Sequence, residues 1–535
     1  MKNKITLLLL FILMTHLFIK CGSGAEINEK ELNETEKSSQ INTTINNLTI
    51  ETLNISKSDK DWAIQFYNSI NNKSIWIENG KLPDSIEDFF NYLNSEIALN
   101  LPIGFLSNVS FQANESLESK EIRVVLRSAE FLALKDTTLI DYKNNSLNRI
   151  QLISPEQFLN FIKEKKTSDS WIDHLIKYKE KNSRLIQLHY ALNQFTSKYG
   201  VENKINENIY LKTPEDSMAF VFVNNQLLSR NFIPERITDT NQLKVELQSF
   251  QLMNGLNTDA KLGKNTMEAL LETNYSRFIK GVITLDKMRD LPDSLIGGKL
   301  ITINIPSYLL HLYNGDQVLN TSKVIIGTQR NQTPLFTSVM KYIVVSPYWN
   351  VPYSIASKEI LPKLKTDSSY LKRNNYSILD REKNVLVPDS IDWKKYSSRN
   401  FPFFVRQEPG PTNSLGLVKL LFPNENSIYI HDTPNKSLFS RDVRTFSHGC
   451  VRTDSPFKLV QDILSAENHK YIDSVDIYKE NQKETYLILS EKFPVTIIYQ
   501  TAGINDSTQQ VQFFKDVYKK EEKLYKLFRE PTVEL

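Results

Sequence analysis

Near Gly298 the hydrophobic period of the chain changes from helical spacing to strict alternation, so the two halves cannot share one architecture. Beyond it, Leu300–Asn304, Tyr308–Tyr313, Ser322–Gly327 and Met340–Ser346 read as strands, with Asn314-Gly315 a tight hairpin turn between the second and third. Before it, Ile86, Phe89, Phe90 and Leu93 recur at helical spacing, as do Phe158, Phe161 and Ile162. His174 and His189 lie on amphipathic stretches here and read as core or surface residues. No metal-type clustering of His, Cys or carboxylates accompanies them. The expected fold class is α+β and multi-domain, a mostly helical scaffold followed by a β-rich unit, and 535 residues suffice for about two to four domains.

The β-rich half encloses the chemistry. Only two cysteines occur, Cys21 and Cys450, and the second sits in Thr445-Phe446-Ser447-His448-Gly449-Cys450-Val451-Arg452. Upstream stands Ile430-His431-Asp432-Thr433-Pro434, so two of seven histidines lie within the 19 residues that precede the thiol. A thiol, a histidine able to take its proton and a neighbouring glycine make a cysteine acyl-transfer site. The glycine matters because a backbone N–H must turn toward the developing oxyanion, for which Gly449 and Cys450 are the candidates. His431 is the candidate general base at the end of the strand Ser427–Ile430; a satisfied strand-end histidine is the structural alternative. Its second nitrogen needs an acceptor. Adjacency puts the Asp432 side chain on the opposite face of a strand, which favours a backbone carbonyl.

Spacing and residues together resemble the YkuD-type L,D-transpeptidase signature. Pro347-Tyr348-Trp349-Asn350-Val351-Pro352, Leu361-Pro362-Lys363, Pro409–Gly416 and Tyr429–Pro434 extend the resemblance to the long, multi-domain YcbB-like subtype, over roughly residues 240 to 495. The resemblance implies a β-sandwich-like catalytic domain with an inserted lid. It makes Cys450 the nucleophile and His431 the base, and gives His448 a loop-ordering role and Ser447 a hydrogen-bonding one. Arg452 would fix the loop or the donor's carboxylate, a structural ion pair being the other reading. Trp349 and Tyr429 would line the substrate cleft, with an ordinary core tryptophan as the alternative for Trp349. The implied activity is 3→3 cross-linking of peptidoglycan stem peptides through a cysteine thioester, with no metal or organic cofactor called for. If water intercepts the thioester, the same site is an L,D-carboxypeptidase. A wall-binding scaffold with a degenerate catalytic domain is a reading from another class, against which the intact motif argues. A papain-like protease would want its cysteine upstream of its histidine, and here the order is reversed.

Charge excludes little else. The 65 Lys+Arg against 62 Asp+Glu leave +3, and no basic block interleaves with aromatics as a nucleic-acid groove requires, so no nucleic-acid partner is expected. Lys2, Lys4 and an apolar run of about 15 residues ending at Lys20-Cys21 read as an export signal, too short for the roughly 20 residues of a spanning helix. Cys21 followed by Gly22-Ser23-Gly24 looks like a bacterial lipoprotein processing site, although Phe18-Ile19-Lys20 departs from the usual box; a simple anchor is the alternative. The expected location is the periplasm or cell envelope, with the membrane reached through lipid on Cys21. Leu247–Gln251, Gly255-Leu256, Asp259, Gly263 and Thr266 are similar to a small helical peptidoglycan-binding module, with Leu243, Met267, Leu270 and Leu271 also inward. The expected organisation is 1–21 signal, 22–60 flexible tether, 61–235 helical scaffold, 236–285 module, 297–500 catalytic domain with lid 354–402, and 501–535 helical tail.

Overall fold

The structure, a computed structural model, describes residues 44–528 apart from 78–79, 84–85, 87–114, 135–139, 145, 148–151, 165–182, 202–215, 290–294 and 296. The signal segment with Cys21, the helical face at Phe89, Phe90 and Leu93, and His174 lie outside the described residues. The expected tether is shorter than its composition suggests. Helices α1 (Asn47–Thr52) and α2 (Lys57–Ser69) start at side-chain caps from Asn46 and Ser56. Ile45, Ile50 and Leu53 are buried in the same core as Trp62 and Phe66 of α2. Average polarity hid three aliphatic residues that acquire a partner surface only in the fold.

That core is built by α2, α3 (Leu117–Leu134), α4 (Pro155–Glu164), α5 (Ser183–Tyr199) and α9 (Asn274–Arg289). Phe158 of α4 is fully buried and Phe161 and Ile162 pack beside it; His189 of α5 is also buried. Gly281 of α9 admits Leu192 of α5 so closely that a Cβ would stand 2.5 Å from it. A smaller cluster joins α6 (Asp216–Leu228), α7 (Thr240–Met253) and α8 (Lys264–Leu271). Leu243, Leu247, Phe250, Gln251, Thr266 and Leu270 are buried there, but Leu271 is exposed because it lies off the short helix's inner face. Packing therefore divides the chain differently from 236–285: α6 joins the small unit, and α9 belongs to the scaffold core.

The β-rich half begins with β1 (Lys299–Asn304), β2 (Leu309–Asn314), β3 (Gln317–Gly327) and β4 (Phe336–Val345). Gly315, at φ +59°, lets β2 turn into β3. After an insert come β9 (Val418–Leu421), β10 (Ile430–His431), β11 (Thr445–Ser447), β12 (Val451–Thr453), α10 (Pro456–Ala466) and β13 (Thr485–Ile498). Their order is β11-β3-β12-β10-β9-β4-β13-β1-β2, with β2 also pairing to β3. The ladder thus closes on itself, a barrel-like ring and not the two separate layers of a sandwich. The long β3 makes this possible, pairing with β2 over its first half and with β12 and β11 over its last four residues.

The insert is a body with its own core. Strands β5 (Trp349–Asn350), β6 (Tyr376–Leu379), β7 (Val385–Leu386) and β8 (Phe404–Gln407) form a sheet in the order β5-β8-β6-β7 over Ala356, Ile360, Leu361 and Leu364. Its sheet reaches beyond 354–402 at both ends because Trp349 pairs with Gln407. The expected helical tail is mostly a hairpin, β14 (Ala502–Ile504) against β15 (Val511–Phe513), followed by α11 (Glu522–Leu527). Ala502, Val511, Phe513 and Leu524 enter the scaffold core, so tail and front half fold as one.

Arg277 of α9 joins these units. Fully buried, it donates to the Ala269 and Glu272 carbonyls at 2.6 and 2.8 Å, ending α8, and to Asn254 Oδ1 at 3.1 Å beyond α7. Arg277→Met keeps the volume and strands those acceptors, so stability to denaturant should fall by about 2–4 kcal/mol. An unchanged unfolding midpoint would show that the guanidinium does not hold the small unit to α9.

Candidate active site

The motif residues meet because β10 and β12 pair in parallel, Ile430 with Val451 and His431 with Arg452. Parallel neighbours need a crossover, and the connection from Asp432 to Cys450 supplies it. Asp432 anchors its start: the carboxylate accepts from Leu417 N at 2.9 Å and Thr433 N at 2.7 Å and pairs with Lys436 at 2.6 Å. The backbone of Gly416 passes so close that a Cβ there would lie 2.3 Å from that carboxylate, and its φ of +62° also requires glycine.

At the far end, Ser447 ties the nucleophile loop. Its hydroxyl accepts from Gly449 N at 3.1 Å and donates to the Cys450 carbonyl at 2.5 Å. Thr333 Oγ1 donates to the Gly449 carbonyl at 2.7 Å and accepts from Gly327 N at 2.9 Å. Gly449 itself sits at φ +120°. This corrects one expectation. The Gly449 N–H is bonded to Ser447, because a hydroxyl two residues back competes for it. The Cys450 N–H has no acceptor among the described residues and is free to donate to an incoming group.

Cys450 Sγ donates to the Ser427 carbonyl at 3.8 Å, and Tyr429, beside the Trp349 indole, is among the groups that favour its thiolate. Burial pushes the thiol's pKa up, while Tyr429, Lys419 and Arg452 hold it down. His431 is buried with Nδ1 2.5 Å from the Asp432 carbonyl oxygen, so its third partner is main chain while Asp432's carboxylate points elsewhere. Only an N–H can donate to a carbonyl, which places the proton on Nδ1 and leaves Nε2 basic. Burial, then Arg452 and Lys419, lower the ring's pKa to about 3. Its ring stands 5.5 Å from Tyr429, edge to face. No hydrogen bond joins His431 to Cys450 among the described residues.

His448 is engaged by the insert, its Nε2 2.9 Å from Glu359, with both side chains half exposed. Arg452 Nε is buried without a hydrogen-bond partner among the described residues. Lys419 was missed in the sequence, though a lone lysine in Val418-Lys419-Leu420-Leu421 was the available signal. It is paired with His431 on β9, and Nζ sits 4.2 Å from the Tyr429 ring centre. A thiol with three stabilisers for its thiolate, a neutral base and a turn-held N–H can form and release an acyl thioester.

Comparison with known proteins agrees: residues 298–468 match the family described as the L,D-transpeptidase catalytic domain, YkuD. Those residues are a YkuD-type L,D-transpeptidase domain. A Haemophilus influenzae protein named "Putative L,D-transpeptidase" is 36% identical over 235 residues, 44% of this chain and 46% of that protein. The chain thus spans about half the length of the curated relative it matches. The transpeptidase-domain match stops at 468, yet the ring is completed only by β13.

The electrostatics set a pH profile for this domain. His431, uncharged down to about 3, contributes no inflection at the ordinary histidine value of about 6.5. Acylation of Cys450 by a β-lactam should therefore be flat through neutrality and change only at alkaline pH, where the thiol itself ionises. An inflection near pH 6.5 that disappears in His431→Ala would overturn this reading. Stability follows the same shift: the unfolded histidine binds its proton below about 6.5 and the folded one does not, so folding weakens as pH falls from there toward 3.

Proposed function

We propose that this protein is an exported peptidoglycan L,D-transpeptidase that forms 3→3 cross-links from tetrapeptide stems in cell wall biogenesis. The observation that carries the reading is the setting of Cys450: a thiol in a turn held by Ser447 and Thr333, beside Tyr429 and on the sheet face of a neutral, buried His431. Sγ turns from the Ser427 carbonyl, gives its proton to His431 Nε2 and attacks the carbonyl between the diamino acid and D-alanine. The oxyanion faces the Cys450 N–H. As the C–N bond breaks, the imidazolium returns the proton to the leaving D-alanine amine, and a thioester remains. A side-chain amine of a second stem then attacks the thioester. The C–S bond breaks, an amide forms, and the amine's proton passes through His431 to Sγ.

Arg452 Nε, buried and unsatisfied, suits the carboxylate of a donor stem. Trp349 and Tyr429 line the cleft beside them. The insert acts as a cover that keeps water from the thioester, with Glu359 on His448 as its contact with the nucleophile loop. The small helical unit is read as a peptidoglycan-binding-like module, and the N-terminal segment as a signal with a lipid anchor at Cys21 in the cell envelope.

Two measurements test this. Intact mass after exposure to a carbapenem should show one adduct on wild type and none on Cys450→Ala, and muropeptide analysis should show cross-linked product from wild type alone; an adduct persisting on the variant would move the nucleophile elsewhere. His431→Ala should lower activity by roughly 10²–10⁴-fold, and His448→Ala by less, since its ring faces the insert. Reversed penalties would exchange the roles of the two histidines.

A further inference from the structure

The catalytic rung does not end at the active site. Arg452 pairs with His431, His431 with Lys419, Lys419 with Val344 of β4, and Val344 with Tyr486 of β13. Directly paired residues point to the same face of a sheet, so these five side chains form one line across five strands. Alternation confirms the face: Ile343, Val345 and Leu487, one residue along, are all in the barrel core. Two residues along, Tyr342 and Ile488 pair on the outer face as well.

This outer end is uncovered and apolar. Tyr342, Tyr486 and Ile488 are 38%, 54% and 65% exposed, around a Val344 that is buried as the floor. Lys419 lies between them and His431. Its Nζ has no hydrogen-bond acceptor or ion-pair partner within 4 Å among the described residues; it lies over the face of Tyr429, with the Glu484 carboxylate farther off. A shelf that is apolar at one end, cationic in the middle and continuous with the base at the other fits an amphiphilic anion led toward His431.

Resting on the transpeptidase reading above, we propose that this strip seats the acceptor stem, the peptide whose side-chain amine captures the thioester. The insert reaches the site through Trp349 beside Tyr429 and Glu359 on His448, and the donor is assigned to the cleft it covers. The attacking amine must lose its proton to His431, so the acceptor approaches from the histidine and its body extends away along the rung. Lys419 pairs with the acceptor's carboxylate and, as a nearby cation, favours the neutral, nucleophilic form of its amine. Tyr486, Tyr342 and Ile488 hold the rest of the stem. On capture the amide C–N bond forms as the C–S bond breaks, and the amine's proton reaches Sγ through His431.

The test is the double variant Tyr486→Thr/Ile488→Thr, two outward strand positions where threonine suits the backbone. The readouts are the rate of Cys450 acylation by a carbapenem, which reports the fold and the donor half, and the ratio of cross-linked to hydrolysed product from tetrapeptide stems. Acylation should stay near wild type, while the cross-linked fraction falls by about tenfold from lost apolar contact and recovers partly at raised acceptor concentration. An unchanged ratio overturns the shelf. So does a wild-type, concentration-dependent dimer that the substitutions abolish with the ratio intact, since that assigns the face to a second copy. Wild-type enzyme that makes no cross-linked product at all sinks the transpeptidase reading itself, and is thereby distinguished from failure of the shelf alone.

Discussion

Everything at the site depends on one short piece of parallel pairing, two residues of β10 against β12. Two ladder positions are little by themselves, so the crossover between them has to be held by other bonds. Asp432 holds its start through two backbone N–H groups and Lys436. The buried Arg444 holds its middle, donating to the carbonyls of Tyr308, Val324 and Arg441. Ser447 and Thr333 hold its end. Each group meets an acceptor or donor that would otherwise be buried unsatisfied, at a cost of about 1–3 kcal/mol apiece. The thiol's position is thus over-determined by polar contacts around a ladder too short to fix it.

The charges at the site oppose one another to a purpose. Burial favours the neutral forms of both Cys450 and His431, while Lys419 and Arg452 favour a thiolate and disfavour an imidazolium. The resting pair is therefore thiol and imidazole, and no preformed ion pair has to be stripped of its partner when substrate arrives. The same two cations sit where carboxylates of a peptide stem would lie. On the proposed reading one pair of positive groups would serve both the nucleophile and the substrate, because both lie on a single sheet face.

The transpeptidase domain also leans on parts of the chain far from its motif. Tyr518, in the tail, donates its hydroxyl to the Gly327 carbonyl at 2.7 Å and accepts from Thr333 N at 3.2 Å, directly beneath the loop that Thr333 holds. Residues on either side of Tyr518, in β15 and α11, enter the scaffold core. Lys287 of the scaffold helix α9 bonds both Glu521 and the Tyr499 carbonyl. The nucleophile loop is thereby tied through the tail to the helical half, which makes that half structural support as well as an appendage.

What the sequence determined by itself was whatever local chemistry dictates. Alternation marked β1 to β4, the helical spacing marked α4 and α7, and the Cys450 motif with His431 named the candidate reacting groups without any structure. The rest was decided by contacts between residues distant in the chain. Lys419 became a site residue only when β9 was placed beside β10. Gly449 lost its N–H to Ser447 in a turn whose closure composition cannot reveal. Tyr342 read as an ordinary strand residue, and Tyr486 and Ile488 carried no signal of their own, until the register lined them up with His431. The tail read as helix because its buried Val511 and Phe513 find their partners in a scaffold more than two hundred residues earlier. Periodicity records which side of an element is apolar. It does not record which element lies against that side, because that choice is made by long-range packing.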